Sequence, residues 1–386
     1  MGHSRSFSPG TFVEVAADQP FVEIAESRVS RNLSIARSRS GESTGAVQAL
    51  DPLRFPDWDA LLATHGESTF FHRRAWASVL HDTYGHRPSY FCHIRGDRLE
   101  AMLPAMEVSS LWTARRGVSL PFTDTCGPLR GSDDAGLYEA AMGRGKERGW
   151  RYLECRGDGG EWPGATPSLA FHGHVIDLAR PGQEIYASFH PSVRRSIRKA
   201  QAAHLKVEFA TTLESMRAFY ALHCLSRKRH GVPPQPFRFF ENITRHVLGS
   251  GTGFVASASV EQRVVAAAVF FHWGTRAFYK FGASDYAYQH LRANDLVMWE
   301  AIKRCAESGC ACLHLGRTSL ANQGLRQFKL RFGAREETLA YCKYDFRRQE
   351  FVKDTDRAEG WINRVFRLLP APLFRMAGQI LYPHLS

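Results

Sequence analysis

The sequence predicts an α/β (α+β) fold present in two tandem copies, and three observations carry that prediction. From Leu53 onward, helical and strand-like patterns alternate regularly, as they do in layered folds of helices on a sheet. The chain has 386 residues and 44% hydrophobic content, more than one ordinary core accommodates, so two domains of roughly 150 residues are expected. The run ERGWRYLECRG at 147–157 lies beside ESGCACLHLGR at 307–317, and the hairpins DRLEAMLP and EQRVVAAAV match at nearly the same offset. A repeat that long means a duplicated domain, because solenoid units are far shorter.

The elements follow in order. Residues 1–48 are rich in Ser, Arg and small side chains, as in SRVSRNLSIARSRSGESTG, and read as a mobile N-terminal arm. The first domain is expected over 49–180. It holds a helix over 74–84, two strands in SYFCHIRGDRLEAMLPAMEV joined at Arg-Gly-Asp, a loop containing SLPFTDTCGPL, a helix over 135–148 and a strand in RYLEC. The second domain, over 181–350, repeats the order. GFVASASVEQRVVAAAVFF and RAFYKFGAS form a three-stranded meander, 294–306 a helix and CLHLG a strand.

Between the copies lies HPSVRRSIRKAQAAHLKVEF, then a helix over 213–229. Val193, Ile197 and Ala200 make one stripe of the first helix, with Arg194, Arg195, Arg198 and Lys199 opposite. That cationic face is either a solvated surface or a phosphate contact. The C-terminal segment over 351–386 is amphipathic. Trp361, Ile362, Val365, Phe366 and Leu369 fall on one helical face and Arg364 and Arg367 on the other, with Pro370 and Pro372 interrupting. Docking of that stripe on the protein's own core is expected, with peripheral membrane contact as the alternative.

The net charge of +12 gives an electropositive surface that favours anionic partners such as nucleotides, nucleic acid or acidic lipid. Eight cysteines are scattered, several of them inside apolar runs, which fits reduced core thiols better than a disulfide framework. The spacing of Cys305, Cys310 and Cys312 is not that of paired zinc ligands, so no metal is expected. No stretch reaches the roughly 20 apolar residues of a membrane span and no secretion signal is evident, so a cytoplasmic protein is expected. A P-loop lysine motif and an HExxH pair are absent from the sequence.

Taken as an ordered set, SLPFTDTCGPL, VRRSIRKAQ, LRANDLVMWEAIKRCAESG and LHLGRTSLANQGLRQFKLRFGA resemble the FemAB-like group of the GNAT superfamily. The resemblance spans about Phe70 to Tyr344. It implies two tandem GNAT-like domains, each a mixed, mostly antiparallel sheet flanked by helices. It also implies transfer of an acyl group from an activated donor, acyl-CoA or aminoacyl-tRNA as co-substrate, to an amine on a small molecule, sugar or peptide, with tRNA a partner in the second case. Where a coenzyme A-dependent GNAT enzyme carries its glycine-rich pyrophosphate loop, this chain has SDYAYQHLRAND. The tRNA-dependent ligases often carry a long helical arm, and no charged coiled-coil run of that type is present here.

The resemblance places Phe328 and Lys329 of the closing motif in the transfer site, where a lysine ammonium stabilises charge developing on a carbonyl oxygen or leaving group. Arg317, at a strand end, is expected to contact the donor, and Thr318 and Ser319 are candidate caps of the next helix and donor contacts. Asn294 reads as the N-cap of the helix that follows or as a donor ligand, and Arg195 and Arg198 as phosphate contacts. Tyr279 either positions the nucleophile or packs in an aromatic strand. Asp124 either binds or deprotonates the acceptor ammonium or closes a turn. A scaffold that binds anionic polymers or membrane without catalysis is the rival from another class.

Overall fold

The computed structural model describes residues 46–385 except 111, 132–133, 158–161 and 357–360. The expected N-terminal arm lies outside the described residues up to position 45. Beyond it, Gln48–Leu50 form β1. The first half continues with α1 (Trp58–Ala63), α2 (Arg74–Tyr84), β2 (Arg87–Pro88), β3 (Tyr90–Arg95), β4 (Arg98–Leu103), β5 (Met106–Val108) and β6 (Arg116–Val118). It ends with α3 (Asp134–Arg148), β7 (Tyr152–Arg156) and β8 (Leu169–Asp177).

The second half begins with α4 (Gly182–Ser188), α5 (Pro191–Ala202), β9 (Lys206–Ala210), α6 (Leu213–His230) and α7 (Phe237–Ile243). The meander β10 (Gly253–Val260), β11 (Arg263–Trp273) and β12 (Arg276–Ser284) follows, then α8 (Ala293–Glu307), β13 (Cys312–His314), β14 (Thr318–Ser319) and α9 (Gln323–Arg331). Strands β15 (Arg335–Asp345) and β16 (Glu350–Phe351) precede two tail helices, α10 (Trp361–Leu368) and α11 (Ala371–Leu381).

The repeat read from the sequence is visible in the pairing. β5 lies antiparallel to β6 and β11 to β12, and after helices α3 and α8 the strands β7 and β13 return parallel to β6 and β12. The copies differ at one point. Residues 264–272 lie within the single strand β11, whereas 99–108 are split at Pro104 into β4 and β5. Proline brings no N–H to a ladder, and β4 joins a small sheet ordered β1-β3-β4 while β5 stays in the main one.

That main sheet runs β2-β5-β6-β7-β15-β8-β13-β12-β11-β10-β9, with β14 beside β8 and β16 beside β15. The closing strands are exchanged. β8, which ends the first half, pairs with β13 of the second, and β15, from the second half, lies between β7 and β8. A ring cluster of Phe70, Phe71, Trp76, Phe239, Phe271 and Phe278 joins the halves on one face of the sheet. On the other face, Val193, Ile197 and Ala200 of α5 are buried in a core shared with α8, as their spacing predicts. All eight cysteines are free thiols.

Pro370 breaks the tail into its two helices. The residues that dock it are Phe374, Gly378 and Tyr382, and this corrects the expected anchor. Phe366 is half-buried, Val365 is 47% exposed, and the side chain of Trp361 lies outside the described residues.

Candidate active site

Strands β12 and β13 pair in parallel only over 276–278 and 312–314. Beyond that point Tyr279–Ser284 and Leu315–Arg317 line opposite parts of one cavity of about 630 Å3, closed by α6, α8 and α9. The opening coincides with a bulge. Val269 pairs with Phe281 and Phe270 with Tyr279, so Lys280 is an extra residue with no partner in the ladder. Its ammonium is thereby aimed at the first half, within 6 Å of the Phe71, Trp76 and Phe281 rings, and it donates to Asp124 Oδ2 at 3.1 Å.

Asp124 is delivered by the loop after β6, in which Leu120 and Phe122 hold positive φ values of 51° and 59°. Such conformations are unfavourable for bulky residues and persist only where their surroundings enforce them. Burial by itself would raise the carboxyl, but Lys280, Arg317 and Lys329 outweigh it and hold Asp124 below the ordinary carboxylate range. A group so stabilised as an anion is a weak base and a strong ligand for a cation. Gly316 makes its approach possible, because a Cβ there would lie 3.0 Å from Asp124 Oδ2 and the residue has φ +70°. Lys280 is drawn below its usual value by burial, against the pull of Asp124.

Lys329 projects from α9 and is 2% exposed. Its ammonium donates to the Gly316 and Arg317 carbonyls at 2.8 and 3.0 Å, which uses two of its three N–H groups. Burial lowers its pKa to about 8, with Asp124 opposing and Lys280 reinforcing the shift. Lys329 also lines the cavity, and one N–H is left for a further acceptor. Phe328, beside it, is half-buried against Phe332 and also lines the cavity.

Arg317 donates to Tyr341 Oη at 3.0 Å and lies 4.5 Å above the Phe171 ring. Tyr341 Oη in turn donates to the Asp124 carbonyl oxygen at 2.5 Å. Arg317 is therefore fixed by a hydrogen bond and two aromatic faces while still lining the cavity. Tyr279 lines it too, with its phenol pushed up to about 12 by burial. A Cβ at Gly282 would collide with that hydroxyl at 1.8 Å.

Other expected residues fall differently. Asn294 is not a cap. α8 begins at Ala293 after Arg292, which adopts the left-handed conformation, and the Asn294 amide donates to Ser284 Oγ at 2.9 Å on the cavity wall. Thr318 and Ser319 do not cap α9 either. They pair with His172 and Phe171 of β8 as β14, which turns them away from the cavity lining, and Asn322 caps the helix by accepting from Leu325 N. Arg195 and Arg198 are exposed on α5 and lie outside the cavity lining. The sequence reading also missed Lys280, Tyr341, Arg227, Arg229 and His230. For Lys280 a signal was present, since a lysine inside the aromatic strand FYKF demands a buried partner.

Arg227, Arg229, Lys280, Arg317 and Lys329 line the cavity, and Asp124 is its single carboxylate among the described residues. His223 also lines it; burial, then Arg227, pushes its pKa down to about 3, so it is a neutral hydrogen-bond partner of Gln235. Among the described residues no group of three or more His, Cys, Asp or Glu is placed to hold a metal ion.

The part of the chain that supplies β12, β13, α8 and Lys329 coincides with a family match, the GNAT acetyltransferase domain, over 187–330. Residues 187–330 are a GNAT acetyltransferase domain. The GNAT domain makes the chain an acyltransferase by class. FemX has a similar structure, with a TM-score of 0.60 at 13% identity over 73% of this chain and 94% of its own. So has the C-terminal domain of a putative lysylphosphatidylglycerol synthetase from Agrobacterium fabrum, at 0.50 and 13%, over 77% of this chain and 91% of that one. The L-PGS of Bacillus licheniformis matches at 0.50 and 11%, over 88% and 99%. At these identities the likeness is one of fold, in which the GNAT domain forms the second half of a tandem arrangement. No curated protein matches the chain.

Proposed function

We propose that the protein transfers an acyl group from an activated, phosphate-bearing donor to the amine of an acceptor, and that the splayed end of β12 and β13 is the transfer site. The observation that carries this reading is Lys329, whose ammonium is fixed on the Gly316 and Arg317 carbonyls at the wall of a cavity holding five cations and one carboxylate. The acceptor nitrogen attacks the donor carbonyl carbon. A C–N bond forms, the donor C–S or C–O bond breaks, and the amine proton leaves with the thiol or hydroxyl of the departing group. Lys329 stabilises the oxyanion, Asp124 accepts a hydrogen bond from the neutral acceptor amine and so orients it, and the arginines hold donor phosphate.

The donor we favour is acyl-CoA, and the acceptor is the amine of a small molecule, sugar or peptide. Aminoacyl-tRNA is the second reading. It draws support from residues 286–291, a short 3-10 helix where a glycine-rich phosphate loop would lie, and from the rim cations Arg227 and Arg229. Similarity of fold to a putative lysylphosphatidylglycerol synthetase points the same way. Arg195 and Arg198, exposed on α5, would serve a polyanion outside the cavity. Either donor is made in the cytoplasm, where we place the protein; no helix among the described residues is long and apolar enough to cross a membrane.

Titration of the protein with acetyl-CoA and with aminoacyl-tRNA, followed by transfer to a panel of amines, tests the reading. Saturable binding of one donor that Arg317→Ala weakens supports it. Failure of both donors to bind across a range of salt concentrations would leave the non-catalytic, anion-binding reading in its place.

A further inference from the structure

Two four-residue runs in the tail, Val365-Phe366-Arg367-Leu368 and Leu373-Phe374-Arg375-Met376, repeat one pattern on successive helices. In each, the phenylalanine turns inward, half-buried at 366 and 2% exposed at 374. The flanking aliphatic residues point out: Val365 is 47% exposed, Leu368 84%, Leu373 45% and Met376 48%. Ile380, 48% exposed, extends the outer stripe of α11. Arg364, Arg367 and Arg375 are exposed beside these stripes, and the segment 361–386 contains no Asp or Glu.

The pair of helices is held firmly from beneath. Lys228 of α6 donates to the Leu369 carbonyl oxygen and lies 5.0 Å from the Phe374 ring centre. Arg227 donates to Tyr382 Oη at 3.0 Å. Gly378 sits so close to Pro234 that a Cβ would lie 2.0 Å from its carbonyl oxygen. At the chain end His384 hydrogen-bonds Ser110 Oγ at 2.9 Å and lies 4.3 Å from the ring of Trp112, which is 62% exposed. The outward apolar residues are thus held in place by inward anchors, not left exposed by a loose tail.

We propose that this outer face docks on an anionic lipid bilayer, with α10 and α11 lying in the plane of the interface. Exposed aliphatic stripes on helices that carry arginines and no acidic residue of their own are the chemistry of an interfacial helix, and Trp112, exposed against His384 at the end of the tail, suits the headgroup layer. Anionic lipid, not a protein groove, is the occupant because the charges carried by the two helices themselves are all positive. Arg227 belongs both to the cavity wall and to the tail's underside, so a docked molecule holds its cavity next to the membrane. An acceptor reaching the cavity would then be a membrane-borne amphiphile. That clause rests on the transfer reading; the docking does not.

The test is co-sedimentation of the full chain with vesicles of phosphatidylcholine alone and of phosphatidylcholine with 30% phosphatidylglycerol. Binding to the anionic vesicles should exceed binding to the neutral ones, falling about fivefold for each arginine changed to glutamine. The double variant Leu368→Glu/Met376→Glu should lose at least tenfold while its melting curve, donor binding and cavity remain those of the wild type, since both side chains face away from the core. Equal sedimentation of this variant would overturn the proposal, as would failure of the wild type to bind anionic vesicles. A wild-type dimer on gel filtration that the double variant converts to monomer, with no vesicle binding, would assign the face to a second copy instead.

Discussion

Lys280 Nζ and Asp124 Oδ2, 156 positions apart, meet at 3.1 Å and tie the bulged strand of the second half to the strained loop of the first. Their side chains are 5% and 24% exposed, so neither charge is well solvated without the other. Asp124→Asn should destabilise the protein by about 3 kcal/mol, because it leaves a buried ammonium without its counter-ion. Adding Lys280→Met should restore part of that loss. Denaturant unfolding of the two single variants and the double variant measures the coupling, and strictly additive effects would show that the pair does not act as a unit.

Lys329 should be active as the ammonium. With its pKa lowered to about 8, that form is present at neutral pH and disappears as pH rises through about 8. The turnover number should therefore fall on that limb once the acceptor amine is saturating. Lys329→Ala should lower turnover on the order of 100-fold and abolish the limb, with thermal melting as the folding control. Near-normal turnover in that variant would remove Lys329 from the transfer step.

Tyr341 acts on the site through Arg317. Its hydroxyl accepts from the guanidinium and donates to the Asp124 carbonyl oxygen. Tyr341→Phe should loosen Arg317 and raise the donor KM by about fivefold, the equivalent of one ordinary hydrogen bond, with a smaller change in turnover. A change in turnover alone would place the tyrosine nearer the chemistry than this geometry does.

Acid should destabilise the fold through buried neutral histidines. Burial lowers His72 to about 4, His174 to about 4 and His314 to about 4. The unfolded chain, with histidine near 6.5, binds these protons first, so stability is full above about 6.5 and is lost as pH falls through about 4. The urea midpoint should drop steeply across that window. His72→Gln, which keeps a polar group near the Gly127 carbonyl oxygen that His72 Nε2 meets at 3.1 Å, should flatten the slope.

Much of the fold was legible because it depends on local pattern. The helix over Arg74–Tyr84 carries its apolar residues at helical spacing and ends at Gly85, which has φ +72°. The stripe Val193, Ile197 and Ala200 named the buried face of α5 before any partner was known. The repeat of 147–157 in 307–317 fixed the duplication, and Lys329, Phe328, Arg317, Tyr279 and Asp124 all line the cavity.

Neighbour relations were decided only in three dimensions. β8 and β15 alternate like any half-buried strand, so nothing in their residues reveals that each pairs across the two halves. Thr318 and Ser319 have the chemistry of helix caps, but sheet pairing with β8 takes them first. Lys280 is placed by a bulge, and a one-residue register shift has no signature in side-chain type. The tail shows the same division: its sequence showed an amphipathic stretch interrupted by Pro370 and Pro372, while the second helix and the contacts of Phe374, Gly378 and Tyr382 with α6 and Pro234 decided which apolar side chains face outward. Period and composition act over a few residues and survive in the sequence, whereas pairing partners depend on burial summed over the whole chain.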